Sequence, residues 1–272
     1  MSMELLCSTF GFTAEPFSKE VDDSELWMPP SKQAVLDDVV EAVHARRSVL
    51  LTGDPGAGKT CLLRAVRHAL APQSYRLTYY ANVTLRRRDF YRQLGVALGL
   101  GRANTAGDVF YAVSAHVEEL AKERIFPVFI LDEAHLLHQD TLDHLHILLN
   151  YAWDSRALLA LILLGLPDLE ERLRLRRNRS LYSRLHYRLS IGPLTPDDTA
   201  DYLRTRLARV GCTRELFTSD TLAMLHEAAG SSLRDLDRIA TAALRSAARK
   251  KRKLVERDVL SRILQLEAEE HG

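Results

Sequence analysis

Cysteine is scarce in this chain. Cys7, Cys61 and Cys212 stand far apart, with no CxxC spacing among them. A disulfide framework or a zinc site is therefore not expected, and a reducing interior is the natural setting. Long apolar runs are missing too: the most apolar window, residues 157–166, is about half of what a bilayer crossing needs. The amino terminus carries acids and polar residues where a secretory leader has a basic start and an apolar run, so a soluble, cytoplasmic protein without membrane contact is expected. Charge of one sign is missing as well. Lys and Arg number 37 against 36 for Asp and Glu, a net charge of +1 that creates no global field demanding a nucleic-acid partner. No internal repeat or long low-complexity linker is visible. With 46% hydrophobic and 27% charged residues over 272 positions, the chain has the composition of an ordinary globular protein, with room for one large domain or two unequal ones.

Against that plain background one stretch stands out. Gly53-Asp54-Pro55-Gly56-Ala57-Gly58-Lys59-Thr60 fits a glycine, four residues, then Gly-Lys-Thr. The apolar run Ser48-Val49-Leu50-Leu51-Thr52 reads as a buried strand before it, and a helical pattern beginning at Cys61 follows. Glycines let the backbone curl so that successive N–H groups face one point, and the helix start adds partial positive charge there. Residues 53–61 are thus a candidate nucleotide-phosphate site. Lys59 is placed to reach the β- and γ-phosphates of ATP, and the Thr60 hydroxyl to ligate Mg2+.

Elsewhere the pattern alternates. Residues 1–30 read as irregular, with Trp27 and Met28 as candidate lining of an adenine pocket. Residues 31–46 read as a helix with Ser31 as its N-cap. Strands are expected at 75–80, 127–131, 158–164 and 186–189. Helices are expected at 85–99, 106–123, 140–153 and 167–176. Strands that are apolar throughout and alternate with helices indicate a parallel sheet covered on both faces. Beyond Gly192-Pro193-Leu194-Thr195-Pro196 only helical patterns remain, at 197–210, 220–229, 233–248 and 256–267. Tyr79, Tyr80, Phe90 and Tyr91 read as packing, and His135, His138, His144 and His146 as surface or packing histidines, although His135 adjoins the candidate site.

The run Val128-Phe129-Ile130-Leu131 ends in Asp132-Glu133, 72 residues beyond Thr60. Such a strand delivers Asp132 to its carboxyl end, where a carboxylate can hold magnesium. Glu133, next to it, can polarise an attacking water as catalytic base. Alone the pattern is weak. Behind a phosphate loop it is strong.

The order phosphate loop, Asp-Glu strand, further strand, arginine-bearing segment and helical lid resembles the AAA+ ATPases. Phe10-Gly11-Phe12, Pro16-Phe17, Asp132-Glu133-Ala134-His135, Leu164-Gly165-Leu166-Pro167-Asp168-Leu169 and Gly230-Ser231-Ser232-Leu233-Arg234 are similar to the ExeA-type branch, itself similar to the transposition ATPases TniB, TnsC and MuB. The resemblance covers roughly residues 8–265. It implies an α/β fold, a P-loop AAA+ parallel-sheet sandwich at 31–194, followed by a small all-helical lid domain at 195–272. It also implies that Arg184 is an arginine finger offered to a neighbouring subunit, with Arg177 and Arg179 as rivals, and that Arg234 reads the γ-phosphate from the lid. In one respect the chain departs from its relatives. The strand before Leu166 is apolar where most AAA+ proteins end it in a polar, water-positioning residue, which suggests slow or partner-dependent hydrolysis. Neither Asp140 nor Asn150 is assigned that role.

The leading expectation is an ATP-dependent DNA-transposition regulator that forms a homo-oligomer, ring or helix, on duplex DNA and recruits or activates a partner transposase. Arg86, Arg87 and Arg88 are its candidate nucleic-acid contacts, and the basic run 249–253 is a weaker one. The alternatives are a secretion or envelope-assembly ATPase of ExeA type and a nucleotide-gated adaptor with little turnover. ExeA-type proteins usually carry a membrane span and a cell-wall-binding domain after the ATPase, and on that ground the secretion reading ranks second.

Overall fold

The computed structural model describes residues 3–81, 84–100, 105–230 and 232–271. In chain order its elements are α1 (Met3–Phe10), α2 (Pro30–His44), β1 (Ser48–Gly53), α3 (Lys59–Ala69), β2 (Tyr75–Tyr80), α4 (Arg87–Ala97) and α5 (Ala106–Lys122). There follow β3 (Phe126–Leu131), α6 (Gln139–Leu145), β4 (Ala160–Gly165), α7 (Asp168–Arg174), α8 (Arg179–Tyr182) and β5 (Leu185–Ile191). The last four helices are α9 (Pro196–Arg209), α10 (Ser219–Ala229), α11 (Leu233–Arg249) and α12 (Arg257–His271).

The chain divides into two compact units. One, of α/β type, comprises Ala34–Asp54 and Lys59–Ile191; the other, helical, comprises Met1–Gln33, Pro55–Gly58 and Gly192–Gly272. The α/β unit is built on five parallel strands in the order β2-β3-β4-β1-β5. The strands β1, β3 and β4 are buried at every residue, as unbroken apolar runs require when helices cover both faces. The edge strands β2 and β5 carry exposed positions instead. Leu50, Phe129, Leu161 and Leu163 lie in the core with Phe90, Val113 and Leu142. Each such fully buried side chain contributes about 2 kcal/mol. Register sets the carboxyl ends level: Thr52 pairs with Gly165, and Leu131 with Leu163. Gly53, Asp132 and Gly165 therefore leave the sheet at one edge, where parallel α/β sheets place their ligands.

Helix α6 is shorter than the pattern 140–153 suggests. It ends at Leu145, a 3-10 turn covers Ile147–Leu149, and the backbone then reverses. Ala152, Trp153 and Asp154 follow in left-handed conformation, with φ of 48°, 60° and 64°, closed by a bridge between Tyr151 and Arg156. Trp153 at this tip is fully exposed.

Residues 1–30, expected to be irregular, contain helix α1, which buries Leu6 and Phe10 in the core of the helical unit with Leu203, Leu236, Leu244 and Val259. Ser31 is not an N-cap. The helix starts at Pro30, and the Ser31 hydroxyl donates to Asp198 Oδ2 at 2.7 Å. Helix α9 begins with a complete capping box: the Thr195 hydroxyl accepts from Asp198 N, Asp198 accepts from Thr195 N, and Pro196 occupies the first turn. Arg206 on α9 is buried and pins the N-terminal segment, donating to Pro16 O at 2.8 Å, to Ser18 O and to the Tyr202 hydroxyl at 3.0 Å.

Candidate nucleotide site

The phosphate loop leaves β1 at Gly53 and enters α3 at Lys59. Gly56 and Gly58 hold φ of +78° and +94°, values that L side chains rarely adopt. Space excludes a side chain at Gly56 as well, because a Cβ there would lie 2.2 Å from Ser232 Oγ. The Lys59 ammonium, 8% exposed, donates to Gly53 O at 2.7 Å and to Asp54 O at 3.0 Å. Those two bonds hold it over the loop. Lys32 supports the loop's centre, donating to Ala57 O at 2.6 Å, and Leu233 N donates to Gly56 O at 3.1 Å. Thr60 is exposed in the first turn of α3, and Cys61 beside it is partly buried and forms no disulfide.

Asp132 leaves β3 buried, and both its oxygens already have a donor. Tyr79 OH reaches Oδ2 at 2.6 Å, and Glu133 N reaches Oδ1 at 2.9 Å. A carboxylate oxygen has a second lone pair, so each retains the capacity to bind a cation or its water. Burial first, and then the Asp132 carboxylate, push the Tyr79 phenol well above its ordinary range, so it remains a donor. Tyr79 was expected merely to pack. It anchors the acid, whereas Tyr80, Phe90 and Tyr91 do stack edge-on in the core. Glu133 sits at φ 52°, a left-handed position held by a non-glycine residue, and its carboxylate is half exposed. The following turn, Ala134–Leu136, is tied down by Arg172, whose guanidinium donates to His135 O at 3.0 Å.

The arginines are disposed differently. Arg184 pairs with Asp154 at 3.0 Å and donates to Ser180 O at 3.0 Å, its side chain one-quarter exposed. Arg177 pairs with Asp143, and Arg179 is exposed. Arg234 is exposed in the first turn of α11. Of the acids that could have held it, Asp235 pairs with Arg238 and Asp237 accepts from Tyr202. Arg86 and Arg88 are exposed at the start of α4, and Arg87 contacts His144. Ser231, part of the lid motif, lies outside the described residues. Trp27 donates from Nε1 to Asp201 at 2.7 Å and stacks edge-on against Tyr202.

These groups fit ATP with Mg2+. Loop N–H groups and an ammonium are the donors phosphate requires, and a hydroxyl with a carboxylate is the oxygen set a hard cation prefers. A family model described as an AAA domain matches residues 42–173. General secretion pathway protein A of Aeromonas hydrophila is 30% identical over 254 residues, covering 92% of this chain. The chain spans 46% of that relative's length. Cdc6p of Pyrobaculum aerophilum superposes with a TM-score of 0.69 at 20% identity, over 88% of this chain and 67% of its own. The Aeropyrum pernix ORC1 protein, solved in complex with DNA, gives 0.67 at 19% identity, over 93% and 68%. Residues 42–173 match an AAA domain, and the chain has the P-loop AAA+ fold. The match to the secretion protein supports a place in the ExeA-like branch, and the two solved structures share the fold.

Sequence reasoning missed three residues that hold the site's groups in place: Lys32 under the loop, and Tyr79 and Arg172 beside the Asp132–His135 turn. Each acts through a partner distant in sequence, and only Tyr79, at the end of a strand, carried a positional signal.

Proposed function

We propose that this chain is an ATP-dependent regulator of DNA transposition, which assembles head-to-tail on duplex DNA and recruits or activates a partner transposase. Lys59 and the loop N–H groups bind the triphosphate, and Thr60 and Asp132 hold its magnesium. Bound there, ATP supplies the phosphoryl group and the metal supplies charge stabilisation. Glu133 orients the attacking water and accepts its proton on the carboxylate. Arg184 reaches a neighbouring subunit's nucleotide once Asp154 releases it, and Arg234 reads the γ-phosphate from the lid. A contact of that kind closes into a ring or winds into a helix.

The observation that carries the DNA reading is the exposure of Arg86 and Arg88 at the amino end of α4, where the Arg86 side chain caps nothing. Cations left in solvent beside a helix start suit phosphate neutralisation. Support also comes from the DNA-bound ORC1 structure of like fold. Anisotropy with labelled duplex tests it: a non-hydrolysable ATP analogue should raise affinity at least tenfold over ADP, and salt should weaken it steeply. Equal, weak binding in both states would remove the reading.

A second reading, an ATPase that energises secretion or envelope assembly, is favoured by the 30% identity to the Aeromonas protein. No helix among the described residues is long and apolar enough to cross a membrane. ATP-dependent capture of an envelope protein, with no response to DNA, would select it.

A further inference from the structure

A carboxylate that takes a proton from water works best when a second group fixes its rotamer, so a candidate base calls for an orienting partner. The neighbouring strand offers none. All six side chains of β4 are apolar or absent, and Leu166 and Pro167 follow. The turn after Glu133 offers one. His135 Nδ1 lies 3.5 Å from Glu133 Oε2, and its side chain is only 11% exposed. That nitrogen is buried without a hydrogen-bond partner, although buried ring nitrogens ordinarily have one. Gly165 explains how the ring fits. A Cβ at that position would lie 3.2 Å from His135 N and 3.3 Å from His135 Nδ1, so the end of β4 is bare where the imidazole sits. Arg172 fixes the ring's own backbone through His135 O.

We propose that His135 is the positioning residue for Glu133: its imidazole, seated on Gly165, orients the carboxylate that receives the proton of the attacking water. The inference rests on the reading of Glu133 as base. It supplies the water-positioning function that an apolar β4 leaves unfilled, and it does so from the turn of β3. A contraction of about half an ångström turns the 3.5 Å approach into a hydrogen bond from Nδ1–H. Gly165 is then a requirement of the chemistry as well as of the packing.

The test uses the full chain with ATP and Mg2+, measuring phosphate release and, separately, ADP affinity. His135→Ala should lower kcat on the order of tenfold or more while KM and ADP affinity stay within about twofold. His135→Asn, whose amide overlays Nδ1, should restore most of the rate. Gly165→Ala, which presses on Leu169 as well as on the ring, should reproduce the loss in kcat without one in ADP affinity. A His135→Ala enzyme with wild-type kcat overturns the proposal. So does an Asn variant no faster than Ala, since that marks a packing role. Glu133→Gln separates the two levels. If it turns over like wild type, the base is misassigned; if it is dead while the His135 variants are unimpaired, only the positioning role fails.

Discussion

The two units both bury charge, and Lys59 and Asp132 in one put it to a different use from Arg206 in the other. In the α/β unit the buried charged groups are Lys59, at the start of α3 after the loop that leaves β1, and Asp132, at the carboxyl end of β3. The partners of Lys59 are carbonyls of its own loop, and Asp132 keeps lone pairs free of hydrogen bonds. In the helical unit Arg206 has its donors committed to Pro16 O, Ser18 O and Tyr202, while Asp237 accepts from Tyr202 at 2.6 Å. The Tyr202 hydroxyl links these two, and Arg206 also reaches a chain segment some 190 residues away. A buried charge is therefore no mark of a site by itself. What distinguishes the two is whether any bonding capacity is left over at the end of a strand.

Substitutions on either side of that contrast can break it. The largest effect is expected from Lys59→Ala: fluorescent-nucleotide titration should show at least a 100-fold loss of ATP affinity, about 3 kcal/mol, with a nearly unchanged melting midpoint. Arg206→Ala should do the reverse. Urea unfolding should register a loss of about 3 kcal/mol, because two buried carbonyls and a hydroxyl lose their donor, while nucleotide affinity stays close to wild type. If Arg206→Ala also removed nucleotide binding, the division between the two uses of charge would collapse.

Smaller changes sharpen the picture. Tyr79→Phe should shift the magnesium dependence of hydrolysis by about 1 kcal/mol, since Asp132 loses a donor and gains mobility. The Tyr79 pKa is raised in the folded state, so its contribution is complete below the ordinary tyrosine value of about 10 and is lost only as pH rises past it. Rate profiles of wild type and variant should run parallel from pH 6 to about 9. The smallest effect concerns Arg87. Burial first, and then the Arg87 guanidinium, hold the His144 pKa below its usual value, so the neutral ring stabilises the fold above about pH 6.5 and that contribution is lost as pH falls. Arg87→Ala should move the His144 titration upward in an NMR series.

The central strands and the loop were legible because local chemistry decides them. An apolar run before a glycine-rich turn, or before Asp132-Glu133, has few other conformations. What escaped depends on sheet order and long-range contact. Tyr79 meets Asp132 because β2 lies beside β3 in a register that pairs Tyr80 with Leu131, and that register is set across two intervening helices. Helix α1 is eight residues long and acquires its packing from helices roughly 190 to 250 positions later. The apolar periodicity at 140–153 continues beyond Leu145, yet the chain turns there into a 3-10 segment and a left-handed tip. His135 was visible as a neighbour of the acids. Its seat was not, since it depends on the missing side chain of Gly165.

The exposed tip at Trp153 has a practical side. The chain has two tryptophans, and they report on different units. Trp27 is partly buried against Tyr202 in the helical unit, whereas Trp153 stands fully in solvent in the α/β unit. Iodide should quench Trp153 and largely spare Trp27, so intrinsic fluorescence, without any added label, can follow the two units separately through unfolding and self-association.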